Sequence, residues 1–330
     1  MAVNLRLSVV VPVYNSSRCI SELVGRIHDD VGSRYSSYEL ILVNDASPDD
    51  SWEVIAKLAH IHHFVVGVNL RKNVGQDNAI MAGLSISTGE VVVIMDDDLQ
   101  HDPREIASLC EQIQMGFDVA FAKFDNKHHA AWKNLGSRFN DWCATLLLGK
   151  PRGVYMSPFK ALSRGVVDEI TKYKGPYPYV DGLIFTITAR ATQVPATHHQ
   201  RFAGRSNYNL LRSIAVWLKL ATGFSVVPLR AVTLLGGVIS VLSFLLGSYF
   251  AAEALWLQHE PPGWPSVIVA IFFIGGIQLI ALGAIGEYIG RIFITQNDRP
   301  QFTIGEVCRP AEQRKTVEAA ATGSTRMKSA

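Results

Sequence analysis

The sequence has neither of the two glycine-rich patterns that commonly mark a nucleotide phosphate site. No G-x-G-x-x-G follows the first apolar run, and no G-x-x-x-x-G-K-[ST] occurs anywhere in the chain. In both patterns, glycines let the backbone N–H groups at the start of a helix approach the phosphates. Their absence argues against a Rossmann dinucleotide site and a P-loop. Any bound phosphate would therefore need a metal ion to neutralise it.

Cysteine is scarce, and the charges nearly cancel. The 330 residues include four cysteines with no C-x-x-C pair, and the net charge is +2. Scattered cysteines predict free thiols rather than a disulfide framework or a zinc site. The balanced charge gives no reason to expect a nucleic acid as a partner.

Three consecutive carboxylates follow an apolar run that is typical of a buried strand. Residues 91–95 are all apolar, and Asp96, Asp97 and Asp98 come directly after them. Ligands of open α/β sheets bind at the carboxyl ends of the strands, and hard divalent cations prefer oxygen ligands. Asp96 and Asp98 could therefore hold Mg²⁺ or Mn²⁺, and the metal could hold a diphosphate. The alternative is a solvated acidic loop in which Asp102 caps the next helix.

Three earlier apolar runs also end in polar residues. Strands predicted over 7–13, 38–43 and 64–70 alternate with helical segments, which indicates an α/β fold with a mostly parallel sheet. Tyr14, Asp45 and Asn73 follow these strands, so we expect them to meet the Asp96 region in one crevice. Asp45 could accept a hydrogen bond from a ribose hydroxyl or a base N–H. Alternatively, it is a carboxylate favoured by a helix dipole.

The second half of the globular region contains groups that could bind an anionic second substrate, which we call the acceptor. The segment 123–138 is basic and could bind phosphate or anionic headgroups, although a solvated helix face would look the same. The aromatic, turn-rich stretch 175–182 is expected to form a wall of the acceptor site, with Asp181 as a candidate base. Arg205 lies in a polar loop and is suited to bind a phosphate through its guanidinium fork.

Two long uncharged stretches indicate membrane spans. Residues 231–252 and 266–285 are each long enough to cross a bilayer. The connection 253–265 has no Lys or Arg, whereas Arg230 precedes the first stretch and Arg299 follows the second. The positive-inside rule then predicts that both ends are cytoplasmic. The paired glycines of each span allow close packing and a homo-oligomer.

These patterns divide the chain into four regions. Residues 1–209 are expected to form the cytoplasmic catalytic domain, and 228–294 a two-helix transmembrane hairpin. The basic amphipathic segment 210–227 predicts an interfacial helix, unless it packs against its own catalytic domain. Residues 295–330 are expected to be a cytoplasmic tail, largely disordered towards its end.

With these residues identified, the chain resembles the family 2 glycosyltransferases of the polyprenyl-phosphate type. This group includes dolichyl-phosphate mannose synthase and the undecaprenyl-phosphate glucosyl and aminoarabinose transferases. The resemblance runs in family order through nearly the whole chain. The matching stretches are 8–15 (SVVVPVYN), 43–47 (VNDAS), 71–76 (RKNVGQ), 95–100 (MDDDLQ), 204–208 (GRSNY) and 286–291 (GEYIGR).

The resemblance implies a GT-A fold, a nucleotide diphosphate sugar donor, a polyprenyl phosphate acceptor and inversion in a single displacement. It also implies that the lipid reaches the site along the interfacial helix. The implied metal ligands for Mg²⁺ or Mn²⁺ are Asp96, Asp98 and Gln100. The implied nucleotide-sugar contacts are Pro12, Tyr14, Asn15, Asp45, Asn73, Gly75, Asp96 and Asp97. Arg205 would bind phosphate as its loop closes, and Lys123, Arg138 and Lys160 could position the acceptor phosphate.

One departure from the family pattern bears on the acceptor. Members often have a carboxylate, proposed as the base, where this chain has residues 153–160; Val154 stands at that place. A phosphomonoester has a second pKa of about 6, so it can attack at neutral pH without a base. The leading prediction is therefore transfer to undecaprenyl or dolichyl phosphate. The alternatives are transfer to a hydroxyl of a lipid-linked glycan, with Asp181 as the base, and a membrane-anchored nucleotide-sugar binder without catalysis.

Overall fold

The computed structural model describes residues 3–124, 150–151, 153–197, 227–257, 263–297 and 299–309. The chain divides into two compact units: residues 1–207 together with 298–330, and residues 208–297. Arg138, Arg205 and the predicted interfacial segment up to residue 226 lie outside the described residues. No structural statement about them follows.

The first unit is built on a mixed sheet that has eight strands in the described part of the chain. Their order is β7-β5-β6-β4-β1-β2-β3-β8. Strands β1 to β4, β5 and β7 run parallel to one another, whereas β6 and β8 are antiparallel to their neighbours. The strands are β1 Val3–Val13, β2 Tyr35–Asn44, β3 Val65–Leu70, β4 Val91–Ile94, β5 Val119–Phe124, β6 Lys160–Ser163, β7 Ala191–Ala196 and β8 Ile304–Cys308.

Helices cover the sheet. Those of the first unit are α1 Ser17–Val31, α2 Ser51–Ile61, α3 Gln76–Ile86, α4 Glu105–Gln114, α5 Arg164–Ile170 and α6 Val180–Ile187. In α1 the fully buried residues Ile20, Leu23 and Ile27 recur at the spacing of one helix face. Val9, Val10 and Val11 of β1 are also fully buried, which is typical of a strand covered on both faces. The predicted mostly parallel α/β fold is therefore confirmed.

Two strands were missed by the sequence prediction. Strand β6 has four residues and lies antiparallel between β4 and β5. It is too short to show a clear alternation of apolar and polar residues. Strand β8 lies in the region predicted as the tail 295–330, and its pairing with β3 buries Cys308. That part of the tail prediction is corrected: residues 304–308 complete the sheet of the first unit.

The second unit contains two long apolar helices, α7 Val227–Leu257 and α8 Trp264–Gln296. Each includes a stretch long and apolar enough to cross a membrane, Val232–Tyr249 and Phe273–Gln296, in which none of the described side chains is buried within the protein. Large apolar side chains such as Leu234 and Phe244 are exposed along them. Such faces are stable against lipid, whereas water would not favour them.

Candidate active site

The carboxyl ends of β1 to β4 bring the predicted polar residues to one edge of the sheet. Tyr14 and Asn15 follow β1, Asp45 follows β2, and Asn73 lies in the loop between β3 and α3. A hydrogen bond links the ends of two neighbouring strands, β1 and β4: the Tyr14 N–H donates to the Asp97 carboxylate at 3.2 Å. The structure therefore brings these groups to one edge of the sheet, as predicted.

Asp45 organises the loop between β3 and α3. Its Oδ1 accepts a hydrogen bond from the Val74 N–H at 2.7 Å, and its Oδ2 accepts one from the Gly75 N–H at 2.9 Å. Asn73 donates its side-chain amide to the Asp45 carbonyl oxygen at 3.2 Å. Gly75 has φ +89°, a conformation that costs other residues energy. The loop therefore has a fixed shape beside the end of β2.

Burial raises the pKa of Asp45 above its ordinary value, although the N–H groups of Val74 and Gly75 oppose this shift. Both donors favour the charged form of the carboxylate, and burial disfavours it. The residue Asp45 is 3% exposed. The observed partners of its carboxylate are the backbone N–H groups of Val74 and Gly75. Its contact with a nucleotide remains a prediction.

The three carboxylates after β4 have different surroundings. Asp96 accepts a hydrogen bond from the Gln76 amide at 2.7 Å, and Asp97 is directed towards Tyr14. Asp98 accepts one from the Gln100 N–H at 3.2 Å. In the described residues, no three His, Cys, Asp or Glu side chains converge as a metal-binding group. The chain thus offers the carboxylates of Asp96 and Asp98 as metal ligands, rather than a complete set of protein ligands.

Two carboxylates without further protein ligands fit a divalent cation such as Mg²⁺. Mg²⁺ is usually held by one or two carboxylates together with substrate phosphates and water. The pKa of Asp96 is raised to about 7, mainly by burial and also by the charges of Asp98 and Asp97, while Lys160 and Gln76 act in the opposite direction. Crowded negative charge of this kind is relieved when a cation binds. The residues present therefore fit a divalent cation bound jointly with a diphosphate.

A buried lysine, Lys160, lies near these carboxylates and interacts electrostatically with Asp96. Lys160 begins β6 and pairs in register with Ile94 at the end of β4, because an antiparallel strand brings its amino end to this edge. Its ammonium group forms an ion pair with Asp181 in the first turn of α6. Lys160 is 3% exposed, and Asp181 is half-buried. Both residues were predicted as acceptor-side groups, and the structure brings them together.

Asp77 and His101 also belong to this edge, although they were not predicted as site residues. Asp77 Oδ1 accepts a hydrogen bond from the Val180 N–H at 3.3 Å, which ties α3 to the start of α6. His101 Nδ1 accepts one from the Asp96 N–H at 3.2 Å, and its ring stacks between Phe124 and Phe159. The position of His101, directly after the acidic motif, was the one available sequence signal.

The remaining predicted residues have varied positions. Pro12 is buried within β1, whereas Tyr14 is 53% exposed and its ring is accessible to a ligand. Lys123 is exposed near the carboxyl end of β5. Val154 is buried and its carbonyl oxygen accepts a hydrogen bond from the Lys150 ammonium. The place where the family often has a carboxylate is therefore filled by an apolar side chain.

Backbone strain is concentrated at the same edge. In the part of the chain that the structure describes, three non-glycine residues have positive φ: Asn15 at 56°, Ala46 at 47° and Leu99 at 61°. They follow β1, β2 and β4, respectively. A left-handed conformation costs an L-residue about 1–2 kcal/mol, and such residues tend to occur where a site needs a particular loop shape. The strained residues thus lie at the same strand ends as the predicted site residues.

The chain is similar to known proteins along most of its length. The model of "Glycosyl transferase family 2" matches residues 8–170. An undecaprenyl-phosphate 4-deoxy-4-formamido-L-arabinose transferase of Klebsiella pneumoniae (strain 342) is 32% identical over 310 residues, which cover 93% of this chain and 95% of that protein. A protein of the same name from Klebsiella pneumoniae subsp. pneumoniae is 31% identical over 310 residues, with the same coverage.

Among solved structures, the chain is similar to glucosyl-3-phosphoglycerate synthase from Mycobacterium tuberculosis in complex with Mn²⁺, uridine diphosphate and phosphoglyceric acid. The identity is 20% and the TM-score is 0.49, with 66% of this chain and 76% of that chain covered. The Klebsiella relatives, in contrast, are similar along nearly the whole sequence. The protein is therefore a glycosyltransferase, and it belongs to glycosyl transferase family 2.

Proposed function

We propose that the protein transfers a sugar from a nucleotide diphosphate sugar to a polyprenyl phosphate, namely undecaprenyl phosphate, and inverts the anomeric centre. The observation that carries the proposal is that three groups meet at one edge of the sheet. They are the carboxylates after β4, the loop after β3 and the buried Lys160 at the start of β6. The names of the Klebsiella relatives, which specify undecaprenyl phosphate, support the choice of acceptor.

The donor side is formed by the ends of β1 to β4. Tyr14 presents an accessible ring for a base, and Asp45 with Gly75 keeps the adjacent loop in shape. A nucleotide placed here would direct its diphosphate towards Asp96 and Asp98. The bound Mg²⁺ or Mn²⁺ would offset the negative charge that develops on the leaving nucleoside diphosphate. Gln76 holds the Asp96 carboxylate through its amide and thereby orients this ligand.

The acceptor side is formed by Lys160 and Lys123, with Arg138 and Arg205 as further cationic groups from the sequence. A polyprenyl phosphate is mostly dianionic at neutral pH, because its second pKa is about 6. It can therefore attack the anomeric carbon without giving a proton to the protein. The protein's task is then to attract and orient the phosphate, which cationic side chains do.

Transfer to a sugar hydroxyl, the alternative reaction, requires a general base within hydrogen-bonding distance. Asp181 was the candidate for this role, but its carboxylate is paired with the Lys160 ammonium. Val154 supplies no carboxylate at the position that often has one in the family. Both observations favour a phosphate acceptor.

The site is proposed to lie on the cytoplasmic face of a bacterial inner membrane. Residues before and after the hairpin belong to one sheet, since β8 pairs with β3. If both apolar helices cross the membrane, the two ends of the hairpin must therefore be on the same side. Arg230 and Arg299 flank the hairpin, and its connection 253–265 has no Lys or Arg. This distribution favours the cytoplasmic side for both ends.

The direct test is sugar transfer to undecaprenyl phosphate in detergent. Radiolabelled UDP-, GDP- and dTDP-sugars are supplied one at a time with Mg²⁺ or Mn²⁺. The wild type should form an acid-labile labelled lipid with one donor, and EDTA should abolish it. Asp98→Asn should reduce transfer about 100-fold or more, because loss of a metal ligand removes several kcal/mol of transition-state stabilisation.

The control is Asp29→Asn, which makes the same change at an exposed position on α1. It should transfer sugar at the wild-type rate. Thermal unfolding of Asp98→Asn should remain close to wild type, so that lost activity is not lost folding. If no donor labels the lipid although nucleotide binding is intact, the proposed acceptor is wrong. Full activity of Asp98→Asn would rule out its role as a metal ligand.

A further inference from the structure

The segment that follows the hairpin contacts two loops of the candidate active site. We call residues 299–309 the return segment. It begins after α8 and contains β8, which forms the edge of the sheet beside β3. Within the first unit, Gly305 leaves so little space that an added Cβ would lie 3.2 Å from the Arg71 side chain. The return segment therefore packs closely against the end of β3.

Its first contact is with the donor side. The Arg71 N–H donates a hydrogen bond to the Thr303 carbonyl oxygen at 2.9 Å. Arg71 is the first residue after β3 and begins the loop that leads to Gly75 and Gln76. This bond joins two backbones. Side-chain substitutions in the return segment should therefore leave it in place.

Its second contact is with the acceptor side and depends on one side chain. The Gln301 amide nitrogen donates to the Tyr173 carbonyl oxygen at 2.8 Å and to the Gly175 carbonyl oxygen at 2.7 Å. An amide NH₂ group has two hydrogens, and these bonds use both. Gln301 and Tyr173 are 128 positions apart in the sequence. The bonds therefore fix residues 173–175 against a distant part of the chain.

The fixed residues lead directly to the buried ion pair. Pro176 and Pro178 follow Gly175, and their rings restrict the backbone between it and α6. Asp181 lies in the first turn of α6 and pairs with Lys160, which faces the carboxylates after β4. A displacement at Gly175 would therefore be transmitted along a stiff connection to Asp181. The donor loop, in contrast, has its own backbone bond at Thr303.

We propose that Gln301 is a positioning residue for the acceptor side of the site. By fixing residues 173–175, it sets the position of Asp181 and, through the ion pair, that of the Lys160 ammonium. This inference rests on the proposed function, because it assigns Lys160 to the acceptor phosphate. It gives the return segment a role in lipid use that is separate from nucleotide binding.

The test uses the full-length protein in detergent. Gln301→Glu keeps the size of the side chain but presents an acceptor where two carbonyl oxygens need donors. Gln301→Lys restores donor hydrogens. Gln114→Ala, at an exposed position at the end of α4, is the control. For each variant, hydrogen–deuterium exchange is measured over 71–77 and over 173–187, together with the Kd for the nucleoside diphosphate and the kcat and KM for undecaprenyl phosphate.

We expect hydrogen–deuterium exchange in Gln301→Glu to be faster than in the wild type over 173–187 and unchanged over 71–77. Its kcat/KM for the lipid should fall about tenfold, with the nucleotide Kd within about twofold of wild type, since a lost pair of hydrogen bonds costs on this order. Gln301→Lys should recover part of the loss, and Gln114→Ala should equal wild type.

Unchanged exchange over 173–187 in Gln301→Glu would overturn the inference. Equal losses of nucleotide affinity and lipid kcat/KM would do so as well, because they would indicate a general effect on folding. If the wild type does not transfer sugar to the lipid at all, the proposed function fails instead. The exchange measurement still decides in that case whether Gln301 fixes residues 173–187.

Discussion

At the scale of single residues, the ionised carboxylate of Asp77 lowers the stability of the folded protein. It is in the first turn of α3, and its Oδ1 accepts a hydrogen bond from the Val180 N–H. Its pKa is raised from 3.8 to about 6, mainly by burial and also by the Asp181 charge, while the Val180 N–H and Lys160 act in the opposite direction. The ionised form is thus less stable in the folded protein than in the unfolded chain.

We predict that Asp77→Asn stabilises the protein at neutral pH. Between pH 4 and 6 the folded state binds more protons at Asp77 than the unfolded state does, so the wild type loses stability as the pH rises through this window. The Asn side chain keeps an acceptor for Val180 and cannot ionise. The variant should equal wild type near pH 4 and exceed it by about 1–3 kcal/mol above pH 7. Thermal unfolding in detergent at both pH values measures the difference.

Asp29→Asn, at an exposed position on α1, controls for the general effect of losing a carboxylate. It should change stability by less than about 0.5 kcal/mol at either pH. If Asp77→Asn were less stable than wild type at pH 8, the ionised carboxylate would be stabilising. The attraction of Lys160 would then exceed the effects of burial and of the Asp181 charge.

Some site residues could be predicted from the sequence because they follow apolar runs. Asp45 and Asp96 come directly after strands, and the carboxyl ends of parallel strands share an edge. Asp77 and Gln301 could not be predicted in this way. Asp77 lies inside a helix, and its partner Val180 is 103 positions away. Gln301 acts on carbonyl groups, which leave no mark in the sequence. Local patterns identify groups at strand ends, but not partners joined by tertiary contacts.

At the scale of elements, α3 lies unusually close to the sheet. Gly83 is where the two approach, and an added Cβ would overlap the Val10 side chain and lie 3.1 Å from Val43 Cγ2. Val10 and Val43 are fully buried and β-branched, so neither can move aside easily. The first residue of α3 is Gln76, which holds Asp96. The packing of this helix therefore also sets the position of a carboxylate in the site.

We predict that Gly83→Ala lowers the stability of the protein and its activity. Overpacking of a tight core costs about 1–3 kcal/mol, of which the better helix propensity of Ala returns up to about 1 kcal/mol. A helix pushed away from the sheet would also draw Gln76 away from Asp96. The thermal midpoint should fall, and transfer should require a higher Mn²⁺ concentration. These are measured by unfolding in detergent and by titration of Mn²⁺ in the transfer assay.

The matched control is Gly25→Ala in α1, where an added Cβ has no atom within 4 Å. The same substitution should there raise stability by about 0.5–1 kcal/mol, since Ala favours the helix and restricts the unfolded chain. A similar loss of stability in both variants would show that close packing at Gly83 is not the cause.

Elements with strong periodicity were predictable, and short ones at the edges were not. The apolar face of α1 and the buried run of β1 each have a clear pattern. Strand β8 reads Ile-Gly-Glu-Val-Cys, which is too short and too interrupted by Gly and Glu to show an alternation of apolar and polar residues, and it pairs with β3. Its register depends on a strand more than 200 positions earlier. Such a strand is stabilised by tertiary contacts, which the local sequence does not record.

At the scale of the whole molecule, the chain leaves one folded unit, forms the apolar hairpin and then returns to the unit it left. Residues 1–207 and 298–330 belong to the same unit, and the link between them is 208–297. A sheet cannot be formed across a bilayer from strands on opposite sides. The number of membrane crossings between β7 and β8 must therefore be even. This constraint comes from strand pairing and is independent of the distribution of Lys and Arg.

We predict that both ends of the hairpin are cytoplasmic and that its connection is exposed on the other side. Alkaline phosphatase inserted at Glu260 should be active in a bacterial host, because the enzyme folds only outside the cytoplasm, whereas the same enzyme fused after Ala330 should be inactive. A fluorescent protein fused after Ala330 should be bright. Each fusion is tested for sugar transfer, so that only folded protein is counted. Active phosphatase after Ala330 in a chain that still transfers sugar would contradict the cytoplasmic assignment. An inactive insertion at Glu260 would show that the apolar helices do not cross, because two crossings place the connection outside.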